Sequence, residues 1–162
     1  MDKEWTRMQA RLKQIVQDIL NSSNSELNGN KPIIDQLVTT LCDITELNIH
    51  PEIFIDNKFS ATAQGKAVSM ITAAQCAEEF MRTQIFLRGV HQALQEQLEH
   101  KEHVRVLYAG TGPFGLLLLP LLPLLSPEKI SVTLLDIHQE SLDALQKVQN
   151  LLNVNDHIEC ID

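Results

Sequence analysis

Basic residues are scarce in this chain. Its 13 Lys and Arg stand against 21 Asp and Glu, a formal net charge of −8 at pH 7, and the sequence pI is near 5.2. Phosphate-backbone affinity needs a basic face, and no Lys/Arg cluster supplies one, so free nucleic acid is a disfavoured partner. Long apolar runs are also missing. Nothing exceeds about 12 continuous apolar residues, short of the ~20 that span a bilayer, so no membrane partner is expected. The N-terminal MDKEWTRMQARLK mixes both charges along an amphipathic pattern and does not read as a secretory signal. Cysteines are few, odd in number and far apart: Cys42, Cys76 and Cys160. They suit a reducing compartment and no disulfide framework, and buried inert thiols are expected. No H-x-x-x-H, H-E-x-x-H or C-x-x-C spacing occurs, which argues against a metal site. The expectation is a soluble, cytoplasmic protein.

What is present suffices for a folded domain. The 162 residues are 44% apolar, and a domain of this size buries roughly two-thirds of its unfolded surface. Trp5, Met8, Leu12, Ile15, Val16 and Ile19 recur at spacings of three and four and predict a helix over 5–20. NSSNSELNGN (21–30) breaks it with turn formers. Pro32 then suits the first turn of a second helix, carried by Ile33, Ile34, Leu37, Val38, Leu41 and Ile44. HPEIFIDNKFSATAQGKA has no sustained period and predicts a loop. A long helix is predicted over 69–100, with Ala77, Phe80, Met81, Leu87, Leu94 and Leu98 on its stripe. The rhythm then changes. Strands are predicted over 104–109, over 130–135 and from His157, with helices over 113–125 and 141–152 between them. Pro120 and Pro123 should kink or shorten the first of these helices. The chain is therefore expected to be α/β: a helical cap region (1–68), then a lead-in helix and a partial Rossmann-like domain (69–162). The β-α-β-α-β order predicts a parallel sheet with right-handed crossovers.

The chemistry concentrates at Gly110-Thr111-Gly112-Pro113-Phe114-Gly115, a G-x-G-x-x-G pattern placed directly after a predicted strand. A tight turn needs permissive backbone angles, and a side chain would block a ligand's approach to the main chain. Amides at the start of a following helix would favour a polar or anionic group. Asp136 closes the next strand, about 20 residues past the last glycine, where a carboxylate can accept both ribose hydroxyls of an adenosine-containing ligand. The plainer alternative is an ordinary strand–turn–helix junction with a solvated strand-end acid.

VRVLYAGTGPFG followed by VTLLDIH resembles motifs I and II of class I S-adenosylmethionine-dependent methyltransferases, and the resemblance covers roughly residues 70–162. The lead-in segment Glu79-Phe80-Met81-Arg82-Thr83-Gln84-Ile85-Phe86 is similar to the acidic-x-x-Arg-Thr-x-x-aromatic segment of protein arginine methyltransferases. The resemblance implies S-adenosylmethionine as cofactor. Gly110, Thr111, Gly112 and Gly115 would wrap its methionine part, Asp136 would hold the ribose and Ile137 would lie against adenine. Arg82 would pair with the carboxylate, with Glu79 and Phe86 lining the same side. Without such a ligand, Glu79 and Arg82 make a surface i, i+3 pair and Phe86 packs in the core. The family carries an acid two positions before the first glycine, and this chain departs from it with Tyr108.

The resemblance further implies a larger sheet than these three strands, so the chain is expected to be the N-terminal, truncated portion of a methyltransferase and inactive alone. The methyl acceptor is not legible. Transfer of another group, as in nicotianamine-synthase-like enzymes, is one alternative. An NAD-binding oxidoreductase domain is another, and a non-catalytic helical interaction module with a Rossmann-like remnant is a third. An unfinished sheet leaves an open edge, which predicts a homodimer covering it. A dimer burying less than ~800 Å² in total, measured in a crystal, would contradict that expectation.

Overall fold

A computed structural model describes residues 3–22, 30–52, 60–62, 65–155 and 158–161, with the backbone alone at 60–62 and 65–67. Two helices lead. α1 spans Lys3–Asn21 and buries Leu12, Ile15, Val16 and Ile19. α2 spans Lys31–Thr45, starts on Pro32 and buries Ile34, Leu37, Val38, Leu41 and Ile44. Trp5, expected on the apolar stripe, is instead 46% exposed, because it lies a turn before the point where α1 meets its neighbours. Most of the expected turn (23–29) lies outside the described residues, as do 53–59 and 63–64 of the expected loop. The rest of that loop is not unstructured: β1 (Ser60–Thr62) and β2 (Gly65–Ala67) form an antiparallel hairpin.

The long helix predicted over 69–100 is two helices. α3 spans Met70–Gln75, capped by the Ser69 hydroxyl accepting from the Thr72 amide at 3.3 Å. A 3-10 turn covers Cys76–Glu78, and Glu79 leaves the helical region with ψ 75° before α4, Phe80–His100. The Ala77 carbonyl freed by this break accepts from the buried Thr83 hydroxyl at 3.0 Å. Periodicity misses the break because each half continues the apolar rhythm. The change of direction also leaves Met81 44% exposed.

β3 (Val104–Ala109), β4 (Ile130–Leu135) and β5 (Ile158–Ile161) form a three-stranded parallel sheet in that order. His157, where the last strand was expected to start, lies outside the described residues. The connection from β3 to β4 departs from expectation. In place of an α-helix over 113–125 the chain makes tight turns, then 3-10 segments at Leu119–Leu124 and Pro127–Lys129. Pro120 and Pro123 lack the N–H that α-helical bonding requires, and Gly112 and Gly115 take positive φ of 59° and 53°. α5 (Gln139–Leu152) returns the chain from β4 to β5. The structure is thus mixed α/β with an all-parallel sheet.

One hydrophobic cluster joins α1, α2, α4, α5, the Leu119–Leu124 segment and the inner face of the sheet, where Val104, Ile130, Val132 and Leu134 are buried. Polar ties cross the same layers. Arg88 of α4 donates to the Ile19 carbonyl at 2.9 Å, and Lys147 of α5 donates to the Thr45 carbonyl at 3.1 Å. On the opposite face of β3 Leu107 is 68% exposed. No helix among the described residues is long and apolar enough to cross a membrane.

Gly115 leaves no room for a side chain. A Cβ there would stand 2.8 Å from Leu119 and 2.9 Å from Leu145, on a backbone that L side chains rarely adopt. Gly115→Ala should therefore lower unfolding free energy by about 2–4 kcal/mol, read as a lower urea midpoint. Gly89, on the exposed surface of α4 with nothing within 4 Å of its missing Cβ, is the control. Gly89→Ala should stabilise by about 0.5–1 kcal/mol.

Candidate functional site

Parallel register builds the site. Ala109 pairs with Leu135, and the ladder runs on as the Gly110 amide donates to the Leu135 carbonyl at 2.8 Å. The residues after β3 and β4 are thereby set side by side, so the glycine turn lies against Asp136. Asp136 is only 6% exposed. Its Oδ2 accepts from the Gly112 amide at 2.8 Å and from the Thr111 hydroxyl at 3.4 Å, and its Oδ1 accepts from the His138 amide at 3.0 Å. A carboxylate carries about four acceptor sites, so Oδ1 keeps a lone pair for a further donor.

A cleft opens over these strand ends in two chambers. The larger, about 500 Å³, has Cys76, Arg82, Thr83, Phe86, Tyr108 and Thr111 in its wall. The smaller, about 250 Å³, has Leu135, Asp136, Ile137, His138 and Ser141. Val68, Ala73, Gly110 and Gly112 belong to both, so the glycine turn is the sill between them. A Cβ on Gly112 would come within 3.3 Å of the Ala73 side chain, narrowing the cleft at this sill. Val68 is held by the His138 ring, whose Nε2 lies 2.9 Å from the Val68 carbonyl.

Of the residues singled out in the sequence, Gly110, Thr111, Gly112, Asp136, Ile137, Arg82 and Phe86 converge on this cleft. Phe86 is not core: it is 50% exposed at the wall of the larger chamber. Two residues do not line it. Glu79 stands behind Arg82, pairing with its guanidinium at 3.1 Å, and both side chains are more than half exposed. An ion pair so open to water contributes about 0–1 kcal/mol and leaves most of the guanidinium's donors free. Gly115 serves the packing beneath the turn.

Sequence reasoning missed Cys76, Thr83, His138 and Ser141 as wall residues. Thr83 and His138 stood inside segments already quoted, but nothing local distinguished Cys76 and Ser141. Tyr108, noted only as a departure, places a phenol in the larger chamber. Burial pushes its pKa up, the Asp136 carboxylate adds to that, and the Leu117 backbone and Arg82 oppose it. It is a neutral hydrogen-bonding group where the resemblance expects an acid.

The thiols are not uniformly buried. Cys42 is half-buried and its pKa is raised, first by burial and then by Asp43 and Glu78, so it stays a thiol. Cys160, expected to be buried, is exposed at the end of β5, where its Sγ accepts from the Gln149 side-chain amide of α5 at 3.1 Å. No cluster of three or more His, Cys, Asp or Glu suited to a metal ion occurs among the described residues. Compared with family models, with curated proteins and with solved structures, the chain matches none.

Asp136 joins two loops, and that makes it structural as well as chemical. Asp136→Ala would strand the Gly112 and His138 amides. Unfolding free energy should fall by about 2–4 kcal/mol, and hydrogen exchange at those two amides should accelerate. Unchanged exchange would show that the carboxylate does not hold the turn.

Proposed function

We propose that this chain binds the cofactor of an S-adenosylmethionine-dependent methyltransferase, in a Rossmann-like unit packed against leading helices. One observation carries the reading: a guanidinium and a buried carboxylate lie in two chambers that share a glycine sill. S-adenosylmethionine is a zwitterion at one end and a neutral nucleoside at the other. Arg82 is the only cation in the wall of the larger chamber among the described residues, and it would take the amino-acid carboxylate by a charge-assisted bond. Asp136 would accept from the ribose hydroxyls, and Ile137 would lie against the adenine. Gly110 and Gly112 allow the main chain to approach the ligand between the two.

The bound sulfonium supplies an already activated methyl group. The protein's task is then to hold that carbon in line with an acceptor, and orientation of this kind supplies much of the rate. Tyr108 adds a neutral phenol to the wall of the larger chamber, which Arg82 also lines. The acceptor's own site is not assigned.

A dinucleotide is the competing occupant. Its pyrophosphate is ordinarily held by the N-terminus of an α-helix opening at the glycine loop. Here tight turns and a 3-10 segment follow Gly115, so that aligned set of amides is absent. This favours the sulfonium ligand over NAD.

Binding-linked stabilisation tests the reading. S-adenosylhomocysteine at about 100 times its dissociation constant should stabilise the protein by about 2.7 kcal/mol, and NAD should leave the melting temperature unchanged. Stabilisation by NAD alone would overturn the proposal, and no response to either ligand would favour the non-catalytic helical module. Arg82→Ala should weaken S-adenosylhomocysteine binding about tenfold or more and leave adenosine binding unchanged. Equal losses for both ligands would remove the carboxylate role from Arg82.

A further inference from the structure

The two chambers are filled unevenly by the proposed cofactor. The larger holds about 500 Å³ and the smaller about 250 Å³. Adenosine, the bulkier part, goes with Asp136 and Ile137 to the smaller. Only the slender amino-acid chain goes to Arg82, so the larger chamber keeps room beside it. That room has an apolar wall. Val68 and Phe86 are each 50% exposed there, and Leu116 and Leu117 add further hydrocarbon. Such a wall suits the body of a second, apolar molecule.

The charge of the wall has one sign. Arg82 is its cation, and no Asp, Glu, His or Lys lines the chamber among the described residues. Glu79, paired with Arg82 at 3.1 Å, lies outside that wall. The cofactor would add a sulfonium and an ammonium, while its own carboxylate is taken by Arg82. Positive charge is then in surplus with no acidic side chain to offset it, and charges a few ångströms apart act strongly away from bulk water. An amine or guanidinium acceptor would be repelled, although the lead-in segment is similar to that of arginine methyltransferases. An anion would be drawn in.

The same wall limits what can react. It offers no carboxylate, imidazole or amine to remove a proton, and burial keeps the Tyr108 phenol protonated. The acceptor must therefore arrive already nucleophilic. Alcohols, thiols and amines hold their protons near neutral pH, whereas a carboxylic acid, with a pKa of about 4, has lost its own. A phosphate is also ionised, but its several charged oxygens ask for more donors than one guanidinium already in use supplies. We infer that the larger chamber also seats the methyl acceptor, and that this acceptor is a carboxylate on an apolar body. This acceptor class rests on the cofactor reading, which it deepens. One carboxylate oxygen forms the bond to the methyl carbon while the carbon–sulfur bond breaks. The electron pair of that bond stays on sulfur, so the sulfonium becomes a neutral thioether. The products are a methyl ester and S-adenosylhomocysteine, and no proton moves.

Calorimetric titration tests the assignment without turnover. The protein is saturated with sinefungin, an unreactive analogue whose ammonium replaces the sulfonium, and titrated with phenylacetate, phenylacetamide and phenethylamine. Phenylacetate should bind at least about tenfold more tightly than the other two. It should bind about tenfold more weakly when S-adenosylhomocysteine, with its neutral sulfur, replaces sinefungin. Phe86→Ala should weaken phenylacetate binding about 2- to 10-fold at the same saturation. Equal or tighter binding of phenylacetamide or phenethylamine would overturn the anionic acceptor. So would equal phenylacetate affinity for the two loaded forms, an unchanged affinity in Phe86→Ala, or no binding of any probe. Displacement of sinefungin by phenylacetate would put the anion on Arg82 itself and overturn a separate acceptor seat. In all these cases the binding of sinefungin and S-adenosylhomocysteine, measured first, leaves the cofactor reading standing. If the protein binds neither of them, the cofactor reading falls and the acceptor assignment falls with it.

Discussion

The site depends on one buried carboxylate. Asp136 sits at the end of a buried strand, 6% exposed, where an ionised group is costly unless it is bonded. Backbone amides supply the bonds: Gly112 from the loop after β3 and His138 from the approach to α5. The carboxylate thereby ties together two loops that only the parallel register brings side by side. The glycine sill, the lower wall of the larger chamber and the whole smaller chamber are referred to that tie. The positive φ values of Gly110 and Gly112, 71° and 59°, let the Gly112 amide turn toward Asp136 without steric cost.

The helices place the remaining wall. α4 arrives at the glycine turn through the break at Glu79, which brings Arg82, Thr83 and Phe86 onto the larger chamber. Buried polar links fix α4 to the first two helices. Asn30 at the start of α2 donates to Gln84 at 2.8 Å, and Arg88 reaches the C-terminal end of α1 through the Ile19 carbonyl and Ser22. These contacts sit within one apolar cluster. The leading helices therefore share their core with the sheet instead of closing a core of their own.

Much of this was legible in the residues. The apolar stripes of α1, α2 and α5 and the strands at 104–109 and 130–135 follow from local periodicity, which records a burial the chain carries out nearby. The glycine turn and Asp136 were legible because their spacing reflects strand length and a tight turn. Three things were not. The break at Glu79 has no glycine or proline to mark it, and its freed carbonyl is satisfied by Thr83, a residue in the next helix. The 113–125 segment has helix-compatible leucines, yet two prolines and the left-handed Gly115 turned it to 3-10 geometry. The paired strands 60–62 and 65–67 are too short for an alternating pattern to stand out.

The sequence by itself determined which stretches would bury an apolar face, where the chain must turn on glycine, and that an acid would close the second buried strand. Those properties are local, set by side-chain size, branching and permitted backbone angles. Only the tertiary structure decided that Arg82 and Asp136 would line one cleft on either side of the glycine sill, and that the Ser141 hydroxyl would be buried without a partner among the described residues. Those outcomes depend on strand register, on the angle between α3 and α4 and on how α5 seats against the sheet. They arise from packing between segments far apart in the chain, which no local pattern encodes.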